Sequence, residues 1–173
     1  MRLIFPVVFA ISASLFINGC ATQATSQAMV VSPTAAATKA NPKLKGLIAV
    51  GDVKGGKDTN PLWTSQVGND EYKKALEQSL ALAGYLSKPG NQQYTLFTEL
   101  LSLDQPFIGL TFDVTSTVNY RLQSESTSKV IPIKAVGSAT FSDSWVGIER
   151  MRIANEKSIK NNIQMLISSL DNY

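Results

Sequence analysis

Residues 108–122 read IGLTFDVTSTVNYRL, and apolar residues alternate with polar ones along most of this stretch. One face collects the apolar side chains of Ile108, Leu110, Phe112, Val114, Val118, Tyr120 and Leu122. The other face collects Thr111, Asp113, Thr115, Thr117, Asn119 and Arg121. Alternation with a period of two is typical of an antiparallel strand that has one face on the core and one in water. We therefore predict a long strand whose threonine-rich face is open to solvent.

Further strands are predicted on both sides of this stretch. Residues 93–103 form the strand before it, and a polar hairpin follows it at residues 124–128. The strand after the hairpin places its apolar side chains on one face, and Gly137 is expected to form a bulge there. A short apolar segment at residues 44–53 is predicted to be the first strand, and Gly55-Gly56 ends it.

Two helices complete the pattern. The first begins at Asn69 or Asp70, carries an apolar face at spacings of three and four, and ends at Gly84. The second follows the capping sequence Ser142-Asp143-Ser144, and Trp145 is expected to pack it against the sheet. Its solvated side is expected to carry Glu149, Arg150, Arg152, Glu156, Lys157 and Lys160. The order β-α-β-β-β-α indicates an α+β fold, with a mostly antiparallel four-stranded sheet and two helices packed on one face.

The N-terminus has the organisation of a secretory signal. Arg2 precedes an uncharged apolar run that is too short for a comfortable membrane span. The run ends in Ile17-Asn18-Gly19-Cys20, which resembles the lipobox of bacterial lipoproteins. The resemblance implies cleavage between Gly19 and Cys20, and it implies a diacylglycerol and a palmitate-type N-acyl chain on Cys20. Because Cys20 is the only cysteine, lipidation would consume the one thiol of an exported protein.

Three segments follow from this interpretation. Residues 1–19 are the signal peptide, residues 20–42 are the lipidated cysteine and a flexible tether, and residues 43–173 are a periplasmic α+β domain. The tether is predicted because its Ala, Thr, Ser and Gln residues show no period and bury too little apolar area to offset the loss of conformational entropy. Ala21 follows the cysteine where the enterobacterial inner-membrane signal has aspartate, so we expect the periplasmic face of the outer membrane.

Composition excludes several classes of function. A formal net charge of +3 without any run of Lys or Arg argues against nucleic-acid binding. The chain has no histidine, which excludes Ser-His and Cys-His nucleophile pairs and zinc sites of the His/Cys type. The candidate acids fall on four different elements, and no spacing pairs them for catalysis: they are Asp52, Asp104, Asp113 and Asp143. We expect no enzyme activity, no metal, and no cofactor beyond the acyl groups on Cys20.

The lipobox, the tether and a β-α-β-β-β-α domain ending in a long helix together resemble a group of small outer-membrane lipoproteins. The group includes the lipopolysaccharide-assembly lipoprotein and the auxiliary lipoproteins of ABC-type lipid transporters. The closing stretch at residues 152–162, RIANEKSIKNN, is similar to the last helix of such proteins, and the segment at residues 59–65, TNPLWTS, resembles one found in proteobacterial lipoproteins. The resemblance implies an accessory protein of the cell envelope.

Two surfaces are candidates for contact with an envelope protein. One is the open sheet face, defined here by Thr111, Asp113, Thr115, Thr117 and Arg121. The other is the loop from Asn60 to Trp63, in which Trp63 either docks a partner or folds back over the edge of the sheet. An accessory role through protein–protein contact is the first hypothesis. The alternative is a small-molecule or lipid-binding module with a cleft between sheet and helices. The sequence leaves the oligomeric state open.

Overall fold

A computed structural model describes residues 20–32, 40–61 and 64–173. The predicted signal peptide, including Gly19, and the predicted contact residue Trp63 lie outside the described residues. Within these ranges the chain forms three helices and four strands: α1 (Ser26–Met29), β1 (Ile48–Lys54), α2 (Asn69–Leu82), β2 (Tyr94–Asp104), β3 (Phe112–Gln123), β4 (Ser128–Ala139) and α3 (Gly147–Asp171). No helix in the described ranges is long and apolar enough to cross a bilayer.

The predicted α+β fold is confirmed. The strands lie in the order β1-β2-β3-β4; β1 pairs with β2 in parallel, and the other two pairs are antiparallel. A parallel pair needs a crossover, and α2 provides it between β1 and β2. Gly84 ends the first long helix in the left-handed region with φ of 79°, a conformation that glycine adopts without steric cost.

The core lies between one face of the sheet and the two long helices. Val118, Tyr120 and Leu122 of β3 point into it and are fully buried. They form one cluster with apolar residues of α2 and α3, namely Tyr72, Leu76, Leu80, Ile159, Ile163 and Leu166. Because each fully buried large side chain stabilises a fold by about 1.5–3 kcal/mol, this cluster holds the helices to the sheet. The opposite face of β3 therefore stays open.

Gly137 does not form the predicted bulge. The pairing of β3 with β4 continues without a register shift from Phe112 opposite Ala139 to Gln123 opposite Ser128. The glycine instead lies under α3, where an added Cβ would come within 2.0 Å of the backbone nitrogen of Ser158. The missing side chain therefore lets the helix backbone approach the sheet closely.

The strand predicted from residue 108 begins only at Phe112. Pairing ends at Ala139 opposite Phe112 on one side and at Asp104 opposite Thr115 on the other, so earlier residues have no partner strand. Ile108 and Leu110 are exposed and lie in the loop before the strand. The alternating sequence pattern extends into this loop, but the strand does not. This part of the prediction is wrong because alternation does not report where a neighbouring strand ends.

The predicted flexible tether is wrong for residues 21–31. Ala24, Met29 and Val31 are buried in the main core cluster, and α1 packs on the two long helices. Polar side chains of those helices satisfy the backbone of the segment: Glu71 accepts the N–H of Ser26 at 2.8 Å, and the Ser79 hydroxyl accepts that of Val31 at 3.1 Å. These partners lie 45 and 48 residues away, so the local composition could not indicate them.

The start of α3 also differs from the prediction. Residues 141–143 form a turn in which the Asp143 carboxylate accepts the N–H of Thr140 at 2.8 Å, and the helix begins at Gly147. Trp145 does not pack the helix on the sheet, because its side chain is exposed; its ring lies 5.8 Å from that of Phe141 in an edge-on arrangement. Arg150 and Glu156, expected on the solvated side, are buried.

Candidate interaction surfaces

The structure has an open sheet face at the position that the sequence predicts. Asp113, Thr115, Thr117 and Arg121 alternate along β3 with buried residues and lie on the side away from α2 and α3. Thr111 precedes the strand and is exposed in the loop before it. The structure thus brings four of the five predicted residues together on one surface.

The open sheet face is more apolar than its threonines suggested. Val136 lies opposite Thr115 and Val130 lies opposite Arg121, and both valines are half-exposed. Residues directly opposite each other in an antiparallel pair share a face, so these side chains belong to the same surface. The alternation along β3 does not indicate them, because they lie on the neighbouring strand.

Arg121 has a fixed position on this face. Its guanidinium lies over the Phe97 ring, with 4.2 Å between Cζ and the ring centroid, and it donates a hydrogen bond to Gln123. A shallow hollow of about 360 Å³ adjoins it toward β1, and charged residues line much of it. They are Asp52, Lys54, Glu99 and Arg121. This corner of the open sheet face therefore offers charge of both signs around an aromatic ring.

A second surface lies at one end of the sheet. Strands β1, β2 and β4 finish there, while β3, α2 and α3 begin there. We call it the Cys20 end and define it as Cys20 with the loop residues 55–61, 64–68, 105–111 and 140–146. Asn60 belongs to this end, where it forms an isolated bridge with Thr64. The open sheet face and the loop that contains Asn60 are therefore separate surfaces. Of the residues predicted for the open sheet face, Thr111 is the one that lies at the Cys20 end.

Hydrogen bonds hold the first residues of the described chain at this end. The N–H of Ala21 donates to the carbonyl of Pro61 at 2.8 Å, and the Ser65 hydroxyl donates to the carbonyl of Thr22 at 2.7 Å. The Ser65 carbonyl in turn accepts Nε2 of Gln105 at 2.9 Å and Nδ2 of Asn155 at 3.0 Å. This network ties Cys20 to β2 and α3. No motif in the sequence indicates it, because its members are backbone groups and isolated polar side chains.

A cleft of about 820 Å³ opens at the Cys20 end. Its walls come from the loop residues 55–57 and 64–67, the end of β2, the start of β3 and the start of α3. Leu100, Leu103, Phe112 and Met151 supply apolar surface, and Gln66 and Gln105 supply amide groups. The volume lies in the range of small-molecule sites, which are mostly apolar with a few polar groups.

Arg150 holds the loop at residues 140–146 in place. Its guanidinium lies 4.2 Å from the centroid of Phe141 and 5.3 Å from that of Phe112, and its Nη1 donates to the carbonyls of Ser144 and Trp145. A buried arginine that binds two carbonyls and two rings is a structural support.

Two carboxylates, Asp143 before α3 and Glu71 at the start of α2, are paired with lysines. Nζ of Lys157 lies 2.7 Å from Asp143, and this hydrogen bond holds the pKa of the aspartate below its ordinary value. The hydrogen bond from Lys74, followed by those from Ser26, lowers the pKa of Glu71 to about 2. Within the described ranges, no three His, Cys, Asp or Glu side chains lie close enough together to hold a metal ion.

The fold resembles solved structures at low sequence identity. Protein XCC0632 from Xanthomonas campestris, of the family DUF330, has a TM-score of 0.47 and 12% identity over 74% of this chain and 86% of its own. A "putative lipoprotein" from Caulobacter crescentus CB15 has a TM-score of 0.47 and 10% identity over 72% and 86%. PelC (L103M dodecamer) from Paraburkholderia phytofirmans has a TM-score of 0.45 and 16% identity over 77% and 93%.

No family model matches the sequence, and no curated protein matches it. None of the three structures above is described as a lipopolysaccharide-assembly lipoprotein, so the resemblance to that group gains no support from them.

Proposed function

We propose that this chain is a periplasmic lipoprotein, anchored in the outer membrane through acyl chains on Cys20, and that it is a non-enzymatic accessory component of an envelope assembly or transport machine. It works by protein–protein contact through the open sheet face. The single observation that carries the contact role is the surface formed by β3 and β4, where Thr115 and Arg121 lie opposite the half-exposed Val136 and Val130, and Thr117 lies opposite Lys134.

The position of Cys20 supports the anchoring. The cysteine is exposed, whereas Ala21 directly after it is buried and hydrogen-bonded to Pro61. Acyl chains on Cys20 can therefore leave the domain without disturbing its packing. Several acyl chains hold a protein on a membrane far better than one, because each buried CH₂ contributes about 0.8 kcal/mol.

The chemistry of the open sheet face supports protein contact. Exposed valines beside hydroxyl groups and one ordered arginine combine apolar area with hydrogen-bonding groups, as the cores of protein interfaces do. Arginine held over an aromatic ring is pre-ordered, so binding loses less side-chain entropy. The absence of histidine from the chain and the pairing of Asp143 and Glu71 with lysines fit a role without catalysis.

The contact role is tested by reversing the character of the open sheet face. The Thr115→Arg/Thr117→Glu double variant is made in the full-length chain and expressed in its own cells. We expect it to lose the membrane protein that crosslinks to and co-purifies with the native chain. The matched control is Gln78→Arg/Ala81→Glu, which places the same charges on the exposed side of α2. Undiminished co-purification of the sheet variant, with an unchanged urea midpoint, removes the proposal.

The cleft at the Cys20 end favours a second candidate function, a module that binds a small molecule or lipid. Its volume of about 820 Å³ and its apolar lining would suit an acyl chain or another hydrophobic ligand. Native mass spectrometry of the protein purified from membranes checks this candidate. A retained non-covalent mass supports it, and a spectrum of the acylated chain alone counts against it.

A further inference from the structure

The most exposed large apolar side chains of the described residues occupy two loops. Phe107 and Ile108 are each 89% exposed, Trp145 is 86% exposed and Leu110 is 70% exposed. Phe107, Ile108 and Leu110 lie in the loop between β2 and β3, and Trp145 lies in the loop between β4 and α3. Exposed apolar side chains gathered in one region mark a contact surface, unlike single ones scattered over a protein.

These loops carry almost no charge. Residues 105–111 read QPFIGLT, and residues 140–146 read TFSDSWV, so Asp143 is the one charged residue in either. The carboxylate of Asp143 is paired with Lys157 at 2.7 Å. An uncharged loop that presents Phe, Ile, Leu and Trp can enter the boundary between lipid headgroups and acyl chains, where tryptophan is enriched.

Both loops lie at the Cys20 end. The hydrogen bonds from Ala21 to Pro61, from Ser65 to Thr22 and from Gln105 to Ser65 connect Cys20 to the residue that opens the loop at residues 105–111. Whatever is attached to Cys20 is therefore attached at the same end of the sheet as the exposed apolar side chains.

The chain between the anchor on Cys20 and the folded domain is short. Ala21 is held on the domain, and consecutive Cα atoms lie about 3.8 Å apart, so Cys20 cannot move far from the Cys20 end. The predicted tether would have lifted the domain away from the headgroups. Since residues 21–31 are packed instead, acyl chains on Cys20 pull this end of the domain onto the bilayer surface.

We propose that the loops at residues 105–111 and 140–146 insert into the headgroup region of the same bilayer that holds the acyl chains of Cys20. The inference rests on the proposed lipidation of Cys20. The loops form a second, non-covalent membrane contact that fixes the orientation of the domain. Because they cap the ends of the strands, the sheet stands upright on the membrane and its open face points along the surface, accessible to a periplasmic partner.

Tryptophan fluorescence in reconstituted vesicles tests the insertion. The chain has two tryptophans, so a Trp63→Phe variant of the lipidated protein reports on Trp145 alone. The protein is placed in vesicles of phosphatidylethanolamine and phosphatidylglycerol, with or without lipids brominated near the headgroup. We expect a blue-shifted emission and several-fold stronger quenching by the brominated lipid than for a probe at the opposite end of the sheet.

The matched control carries that probe. It is the Trp63→Phe/Trp145→Phe/Ser126→Trp variant, whose tryptophan lies in the exposed hairpin between β3 and β4. A Phe107→Trp variant in the Trp63→Phe/Trp145→Phe background gives a second test of insertion, because its site is exposed and the substitution disturbs no packing.

Mass spectrometry of the same samples separates the two proposals. An unmodified Cys20 overturns the proposed anchoring, and the inference falls with it. If Cys20 is acylated, the quenching results decide. Bromine quenching at Trp145 and at position 107 that is no stronger than in the hairpin overturns this inference alone. Shielding of Trp145 from aqueous acrylamide without lipid quenching also overturns it, since a protein or a second copy would then cover the loops.

Discussion

The backbone N–H of Thr25 and its hydroxyl both donate hydrogen bonds to Oε1 of Glu156, at 2.9 and 3.2 Å. The same oxygen accepts Nη1 of Arg152 at 2.5 Å. One buried carboxylate therefore joins the N-terminal segment to α3 and balances an arginine. This relationship explains why a glutamate on the last helix faces inward, toward a segment 131 residues away in sequence.

Replacement of Glu156 by alanine should release the N-terminal segment. A hydrogen bond to a charged group contributes about 1.5–3 kcal/mol, so we expect Glu156→Ala to lower the free energy of unfolding by that order. Urea unfolding measures the loss, and hydrogen exchange at the Thr25 amide should become faster. Glu149→Ala is the matched control, because Glu149 also pairs with Arg152 but has no hydrogen bond to the segment. Equal losses from both variants would contradict the assigned role.

Acid should loosen the same segment through Glu71. Hydrogen bonds from Lys74 and Ser26 lower the pKa of this carboxyl from 4.5 to about 2 in the folded state. A lowered folded-state pKa contributes stability that is present above pH 4.5 and is lost as the pH falls toward 2. We expect the native chain to be more stable than Glu71→Gln at pH 7, with the difference shrinking through this window and vanishing below it.

Urea midpoints of the native chain and Glu71→Gln between pH 7 and pH 2 check this dependence. The Lys74→Gln variant removes the largest cause of the lowered pKa, so its loss of stability below pH 4.5 should be smaller than in the native chain and should be complete at a higher pH. A difference between native chain and Glu71→Gln that stays constant from pH 7 to pH 2 would show that Glu71 does not respond in this way.

Some of this structure could be predicted because the signals are local. The alternation along β3 gave its buried face correctly from Phe112 to Leu122, and Gly84 marked the end of α2, because both depend only on the conformation of neighbouring residues. The position of the open sheet face followed from that alternation. A lipobox is likewise a contiguous pattern, so Cys20 stands out without any knowledge of the fold.

Other features depend on contacts between distant residues. The packing of residues 21–31 needs Glu71, Ser79 and Glu156, and an Ala- and Thr-rich stretch gives no sign of them. Ile108 continues the alternation of β3 beyond the last partner strand, so periodicity placed an exposed residue in the core. The Cys20 end assembles three loops that are far apart in sequence. Only the strand order brings them together.

The hydroxyl groups of Tyr72 and Tyr120 form a hydrogen bond of 2.6 Å in the core, and both residues are fully buried. Removing one hydroxyl leaves the other without this partner, so we expect Tyr72→Phe and Tyr120→Phe each to lower the free energy of unfolding by about 1–3 kcal/mol. The double variant should cost less than the two single losses together. Urea unfolding of the four proteins gives the coupling directly, and simple additivity would rule out a paired hydroxyl contact.

Alkali should act on the same pair. Burial raises the pKa of Tyr72 and of Tyr120 well above 10, so the folded state keeps both protonated. The unfolded state loses these protons near pH 10, and the contribution of the pair to stability therefore falls as the pH rises above that value. A Tyr72→Phe/Tyr120→Phe variant should show a shallower decline above pH 10. Parallel declines for the variant and the native chain would contradict the assignment.

Gly137 should tolerate no side chain. A Cβ at this position would lie 2.0 Å from the backbone nitrogen of Ser158 and 2.4 Å from the carbonyl oxygen of Ala154, and neither backbone atom can move without shifting α3. Overpacking costs about 1–3 kcal/mol, and a clash with backbone should reach the upper part of that range for Gly137→Ala.

Gly147→Ala is the matched control for this substitution. Position 147 lies in the first turn of α3, and a Cβ there would meet nothing closer than Nη2 of Arg150 at 3.8 Å. Alanine favours helix by up to about 1 kcal/mol over glycine, so this variant should be as stable as the native chain or more stable. Thermal and urea unfolding of the two variants measure the contrast. If Gly137→Ala were as stable as Gly147→Ala, the close approach of α3 to β4 would not require glycine, and the helix would have to sit farther from the sheet.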